Sequence, residues 1–529
     1  MATPNIVPRA DSEGGLGTAS KYWASAYIDA ITTTGNVTVG GTINGIPFYS
    51  DTTNNSMYTH DVSATDDTAQ FNAGYGFAAL DAITTGDQNT AVGYGAGGAL
   101  TTGSNNALLG YRAGLNLTTG HNNVAIGGNA LLNEDGDGGN VAIGTSALKD
   151  LNAGADGYNV AIGYEAGKSV STGTRNTILG ALAGDAITTG ADNVAVGYGA
   201  LSTEDGHGKN VAIGSYALVN QNAGADAYNV AVGYNSGNAI TTGSYNTIVG
   251  GEALLTNQTG DRNTAIGAQA LYTSNAADNS GDNVAVGYNA GFAMTTGIQN
   301  VIIGSYTGDA ITSGNYNVAI GHAALSAEDA HGRNVAIGHR ALQSQNAGVD
   351  AGNTAIGYTA GKEVTEGQDN VFLGAYAGDA VTEGDYNVAI GRSALSAETT
   401  NGYNVAVGTF SLLNQNAGSN AENTAVGYNT GKDITTGVRN TLIGSQSGDG
   451  LIIDKDNVSV GYQSLSAANA GARAVAIGKG ALEVQQTEAY LTSVSYAASG
   501  DATITHASSS SVQVGQLVTS DAAGIPSGA

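Results

Sequence analysis

The chain has 529 residues, 81 of them glycine and only four proline, and a net charge of −27. That acidic balance excludes a nucleic-acid or anionic-membrane ligand held by clustered Lys and Arg. The lack of any cysteine excludes disulfides, thiolate metal sites and cysteine nucleophiles, and no run approaches ~18 consecutive apolar residues, so no membrane insertion is expected.

The first 70 residues precede a repeat. Met1 to Pro8 has no basic start and no apolar run, so it does not read as a signal peptide. The single Trp, Trp23, lies between Gly17 and Ile28, and Asn36-Val37-Thr38-Val39 reads as a strand closed by Gly40-Gly41. Residues 1–70 read as an attachment or oligomerisation segment.

From Asn72 onward a motif of the form Asn-Val-Ala-Ile-Gly recurs 24 times, with Ala474 replacing the anchor Asn in the last unit. Of the 23 spacings, 18 are 17 residues, four are 19 and one is 20. A short fixed period means a solenoid, in which each unit is one coil stacked on its neighbours. The expected fold is therefore all-β: a parallel β-solenoid or β-roll over residues 71–488, of about 24 coils. At ~4.8 Å per coil the stack would be a rod of roughly 115 Å. No Pro interrupts it, as paired backbone N–H groups require.

Within a unit, Val160 and Ile162 alternate with Ala161. Alternation puts Val and Ile on one face of a strand and Ala on the other. One face can fill the coil interior. The other, lined by small Ala, suits close contact with another surface, which a homotrimer, intertwined or side by side about a shared axis, would supply. The anchors are structural: Asn89, Asn159, Asn229, Asn283, Asn353 and Asn423 stand for a row in which stacked amides satisfy backbone groups at a coil corner. Gly93, Gly163, Gly233, Gly287, Gly357 and Gly427, four residues later, mark a corner with φ > 0 or tight packing. A second short strand is expected in segments such as Asp185-Ala186-Ile187-Thr188-Thr189-Gly190.

A longer period overlies the first. Tyr94, Tyr164, Tyr234, Tyr288, Tyr358 and Tyr428 are spaced by 70, 70, 54, 70 and 70 residues. Gly-Asp-Ala-[Ile/Val]-Thr recurs with Asp185, Asp309 and Asp379, and two-residue insertions recur near Asn152, Asn222, Asn346 and Asn416. Residues 489–529 leave the pattern. Tyr490 to Tyr496 and Ala502 to Thr505 read as strands that begin a C-terminal β domain, and the native chain is expected to continue past Ala529.

Chemistry is sparse. The histidines are His60, His121, His207, His322, His331, His339 and His506; His207 and His331 hold matching places in Asp205-Gly206-His207-Gly208 and Asp329-Ala330-His331-Gly332. Ligands drawn from different super-repeats would be several coils apart, too far for one ion, so these read as solvated loop residues. Glu204 with Asp205, or Glu328 with Asp329, could serve as paired carboxylates for glycoside cleavage, but their repetition argues against a single irregular active site. Thr-Thr-Gly steps suggest an ice-binding row that Glu-Asp coils interrupt, and the calcium-binding nonapeptide is missing. No catalytic, cofactor-binding or metal residues are expected, and no enzyme activity.

Units such as Asn89-Thr90-Ala91-Val92-Gly93-Tyr94-Gly95-Ala96-Gly97 resemble repeats of bacteriophage tail fibres and of the heads of YadA-type trimeric autotransporter adhesins. The resemblance covers about residues 71–485 and implies left-handed β-rolls assembled as trimers. Pro4-Asn5-Ile6-Val7-Pro8-Arg9-Ala10 and Leu16-Gly17-Thr18 followed by Trp23-Ala24 look like the start of tail-associated proteins of marine tailed phages. That points to a virion tail, with residues 1–70 on a tail or baseplate protein and a host receptor or glycan at the distal end. A bacterial surface adhesin or extracellular filament at the cell surface, and a polysaccharide-degrading tailspike, are the alternatives.

Overall fold

A computed structural model describes residues 68–483 apart from 137, 276–279 and 467–471, together with 56–59 and short strand segments within 17–51 and 494–506. Trp23, His60 and the expected strand at Asn36 to Val39 lie outside the described residues, as do Tyr490 to Ser493. Val494–Tyr496 and Ile504–His506 pair antiparallel.

The repeat folds as a parallel β-solenoid. Each of the 24 motifs forms one three-residue strand, from Ala73–Tyr75 to Val475–Ile477, and no helix occurs among the described residues. Successive strands pair in register: Val141 faces Val160, Ala142 faces Ala161 and Ile143 faces Ile162. That pair spans a 19-residue coil, so the inserted residues bulge outside the ladder and leave its register intact. The 20-residue coil behaves alike, with Thr264 opposite Val284.

The stack begins earlier than the motif does. Ser56–Tyr58 pairs in parallel with Ala73–Tyr75, which places Tyr58 at the inward position opposite Gly74. Tyr58 is 1% exposed and fills the first coil's interior, where a Cβ on Gly74 would stand 3.1 Å from its ring. Tyr49–Asp51 then pairs antiparallel with Ser56–Tyr58, covering an otherwise open parallel edge.

The interior belongs to the alanines, which reverses the expected assignment of faces. Ala161, Ala195, Ala212 and their equivalents are fully buried inside the coil, whereas Val and Ile on either side point outward and stay half-exposed, Ile162 at 38%. The lumen of a 17-residue coil is already filled from its other inward positions by branched side chains such as Leu148 and Leu151, so the strand contributes the small residue. Every super-repeat admits one larger group at this position: Leu108, Ile178, Ile248, Ile302, Phe372 and Leu442, all buried. Their spacings match those of the Tyr series. Room is made by glycines of the preceding coil, such as Gly97, Gly167 and Gly361; an added Cβ on Gly97 would come within 2.7 Å of Leu108. Other coils place Leu at that second position, as Leu131, Leu148 and Leu201. Large and small residues thus alternate down the lumen, keeping the interior close-packed.

The expected second strand is a turn. Ile187 donates its N–H to the Gly184 carbonyl within the same coil, at 3.2 Å, and this segment carries no strand. The chain bends just before this segment, where Leu182 takes a left-handed conformation at φ 57° and Gly184 one at φ 52°. Thr188 N–H still reaches the next coil, at the Asp205 carbonyl.

Candidate functional site

The anchor asparagines form one continuous buried spine. Asn159 Oδ1 accepts the backbone N–H of Asn176 at 3.0 Å, and Asn159 Nδ2 donates to the Gly173 carbonyl at 2.9 Å. Asn89 does the same toward Asn106 and Gly103. Across the longer coils the spine holds: Asn229, Asn353 and Asn423 give their N–H to Asn210, Asn334 and Asn404 at 3.1, 3.1 and 3.2 Å, and Asn283 gives its own to Asn263 at 3.2 Å. In three of the 19-residue coils the glutamine just before the insertion joins in, Gln221, Gln345 and Gln415 accepting from Asn229, Asn353 and Asn423. The row starts on Ser56, whose hydroxyl accepts the Asn72 N–H, and ends on Ala474, which donates to Asn457.

The glycine four residues after each anchor has φ > 0. Gly93, Gly163, Gly233, Gly287, Gly357 and Gly427 lie between 135° and 147°, and a Cβ on Gly233 would stand 2.4 Å from the Gly250 carbonyl oxygen. Coils touch through bare backbone at this corner, so any side chain would force them apart.

Outside, three kinds of column run along the rod. The residues flanking each inward position, mostly Val and Ile but Thr at places such as Thr90, Thr264 and Thr354, form a largely apolar outward stripe. Tyrosines after the strand stack across coils, and one run of six rings is unbroken from Tyr288 through Tyr306, His322, His339 and Tyr358 to Tyr376, with centroids 5.1 to 6.1 Å apart. A third column, just before the anchors, pairs charges between coils: Arg175 with Asp192, Arg262 with Asp282 and Arg439 with Asp456, each through two hydrogen bonds. Each guanidinium holds its partner Asp below the usual carboxylate range. Thr84 and Thr101 hydroxyls donate to carbonyls of the next coil, so that threonine row is committed to the rod itself.

The Glu-Asp turns each carry one carboxylate that points into the coil. Glu204 and Glu328 occupy the inward position held by Ile187 or Val170 in other coils and are fully buried. The neighbouring Asp205 and Asp329 are exposed. Glu204 Oε1 accepts the His207 N–H at 3.1 Å, while its Oε2 has no hydrogen-bond partner; Glu328 and His331 repeat this at 3.0 Å. Burial pushes the Glu204 and Glu328 carboxyls up to about 7, opposed by the backbone N–H groups of His207 and His331. Glycoside cleavage needs two carboxylates facing one sugar, and a carboxylate fully buried within the coil presents no such pair with Asp205. The Gly-Asp aspartates are half-buried, and burial raises Asp185, Asp309 and Asp379, the last to about 6.

Among the described residues no helix is long and apolar enough to cross a membrane. No protein-family model and no curated protein matches the chain.

Proposed function

We propose that the chain is the rod-like shaft of a bacteriophage tail fibre, a non-enzymatic virion protein that works as a homotrimer. Its N-terminal segment would hold a tail or baseplate protein, and its far end would carry a host-binding region. The observation that carries this reading is the outward Val and Ile stripe. It follows an uninterrupted stack of 24 strands. A contiguous apolar face of that length on a soluble chain calls for cover, and further copies of the same rod, in the same register, provide it along the whole length. Identical chains side by side would also give several equivalent contacts at the tip, and so avidity. The repeated, sealed interior supports reach and stiffness in preference to catalysis.

Sedimentation equilibrium on the purified full chain tests the assembly, with three subunits expected; a stable monomer would refute it. Electron microscopy of the particle that contains the chain tests the location. Rods projecting from a phage tail are expected, and rods anchored in a bacterial outer membrane would replace this reading with the adhesin one.

A further inference from the structure

The Glu204 and Glu328 corners bring three metal-binding groups together within single coils, not across super-repeats. In one corner Glu204, Asp205 and His207 each offer a ligand atom, all within 4.8 Å of one another; Glu328, Asp329 and His331 do the same in the other. The innermost group of each set is a fully buried carboxylate whose Oε2 lacks a hydrogen-bond partner. His207 Nδ1 is buried as well, has no hydrogen bond, and lies 3.7 Å from Glu204 Oε1; His331 Nδ1 is placed identically against Glu328.

Backbone contacts hold both corners in place. The Asp205 and His207 carbonyls accept from Thr188 N–H and from Asn193 Nδ2, and the Asp329 and His331 carbonyls accept from Thr312 N–H and Asn317 Nδ2. A related coil supplies an internal contrast. There Glu398 is followed by Thr399 and Asn401, and the Asn401 amide donates to Glu398 Oε1 at 2.7 Å. That coil has an amide donor where the other two have an imidazole, and a hydroxyl where they have a carboxylate.

We propose that each of the two corners binds one divalent cation of the zinc class, through Glu204, Asp205 and His207 in one coil and Glu328, Asp329 and His331 in the other. Two carboxylates with one imidazole suit zinc, cobalt or nickel better than calcium or magnesium, which take oxygen ligands alone. Metal–ligand bonds of about 2.0–2.2 Å bring ligand atoms to roughly 3.5 Å apart. The exposed Asp205 and half-exposed His207 can close that remaining gap by side-chain rotation about a fixed backbone. Three protein ligands leave a fourth position for water. Bound metal would neutralise a charge that the coil otherwise buries alone, pinning two points along the rod.

Cobalt(II) titration of the full-length, metal-stripped chain at about pH 7.5, followed by its visible absorption, tests this. Two ions per chain are expected. His207→Asn and His331→Asn, which copy the residue natural at 401, should each remove one ion, and the pair should remove both. Asp205→Thr with Asp329→Thr, copying Thr399, should weaken binding at least tenfold, while Glu398→Gln should change nothing. Circular dichroism checks that each variant keeps its β signal. No uptake by the wild-type chain, or equal uptake by the double histidine variant, would overturn the proposal.

Discussion

The ring of Phe372 lies against Gly361 of the preceding coil: a Cβ placed on Gly361 would stand 2.7 Å from Phe372 Cδ2. Gly378, in the coil of Phe372 itself, is closer still. This ring, which among the described residues only Tyr58 exceeds in size inside the lumen, therefore rests in a hollow made by two left-handed glycines.

Truncating that ring should be costly. Phe372→Ala opens a cavity in a close-packed interior, and about 3–5 kcal/mol is the typical loss. Gly361→Leu adds bulk to a filled space and should destabilise by about 1–3 kcal/mol or more. The double variant should recover part of the loss, since Leu342 shows that this position accepts Leu when the neighbouring inward residue is Ala355. Denaturant unfolding measures all three, and strictly additive losses would contradict the pairing.

Breaking the spine should be felt locally. Asn229→Ala leaves the Asn246 N–H without its acceptor and the Gly243 carbonyl and Gln221 Oε1 without their donor. Each unsatisfied buried group costs about 1–3 kcal/mol. Amide hydrogen exchange should quicken around residues 229–250 first and leave distant coils protected; uniform loss along the rod would show that the coils unfold only together.

Charging the outer stripe should separate assembly from folding. Val335→Lys with Ile337→Lys alters two outward positions and leaves the inward Ala336 untouched. The β signal should persist while the sedimentation mass falls toward that of one chain. An unchanged mass would place the interface elsewhere.

The buried glutamates set a pH dependence in metal-free protein. Glu204 and Glu328 titrate at about 7 when folded, above the ordinary value of 4.5. A raised acid favours the protonated folded form, so this stability is complete below about pH 4.5 and is lost as pH rises through 7. With a chelator present, Tm should fall between about pH 5 and 8. Glu204→Gln with Glu328→Gln should flatten that fall. The aspartates paired with Arg act oppositely and in a lower window, losing stability as pH drops below about 4.

Periodicity made the solenoid legible, because Asn and Gly recur where stacking leaves no alternative. The direction of the strand faces was not legible. Val-Ala-Ile is apolar on both sides, and only the coil's circumference decides that Ala161 goes inside. The turn at Asp185 to Gly190 was hidden for another reason: just before it Leu182 takes a left-handed conformation that its side chain does not advertise. The Glu204 corner could have been found by aligning units, since Glu204 falls in the column otherwise filled by Ile187, Val170 and Leu151. A carboxylate in an apolar column is the signal. Ser56 escaped notice because a hydroxyl replaces the amide at the head of the spine.

The antiparallel cover that Tyr49–Asp51 lays over Ser56–Tyr58 has a consequence for size. A parallel stack with a bare first edge would template another molecule onto itself and polymerise without limit. Here that edge is already occupied by the molecule's own backbone. Adding or deleting one 17-residue unit would then lengthen or shorten the stack by one strand spacing, as graduations do on a ruler.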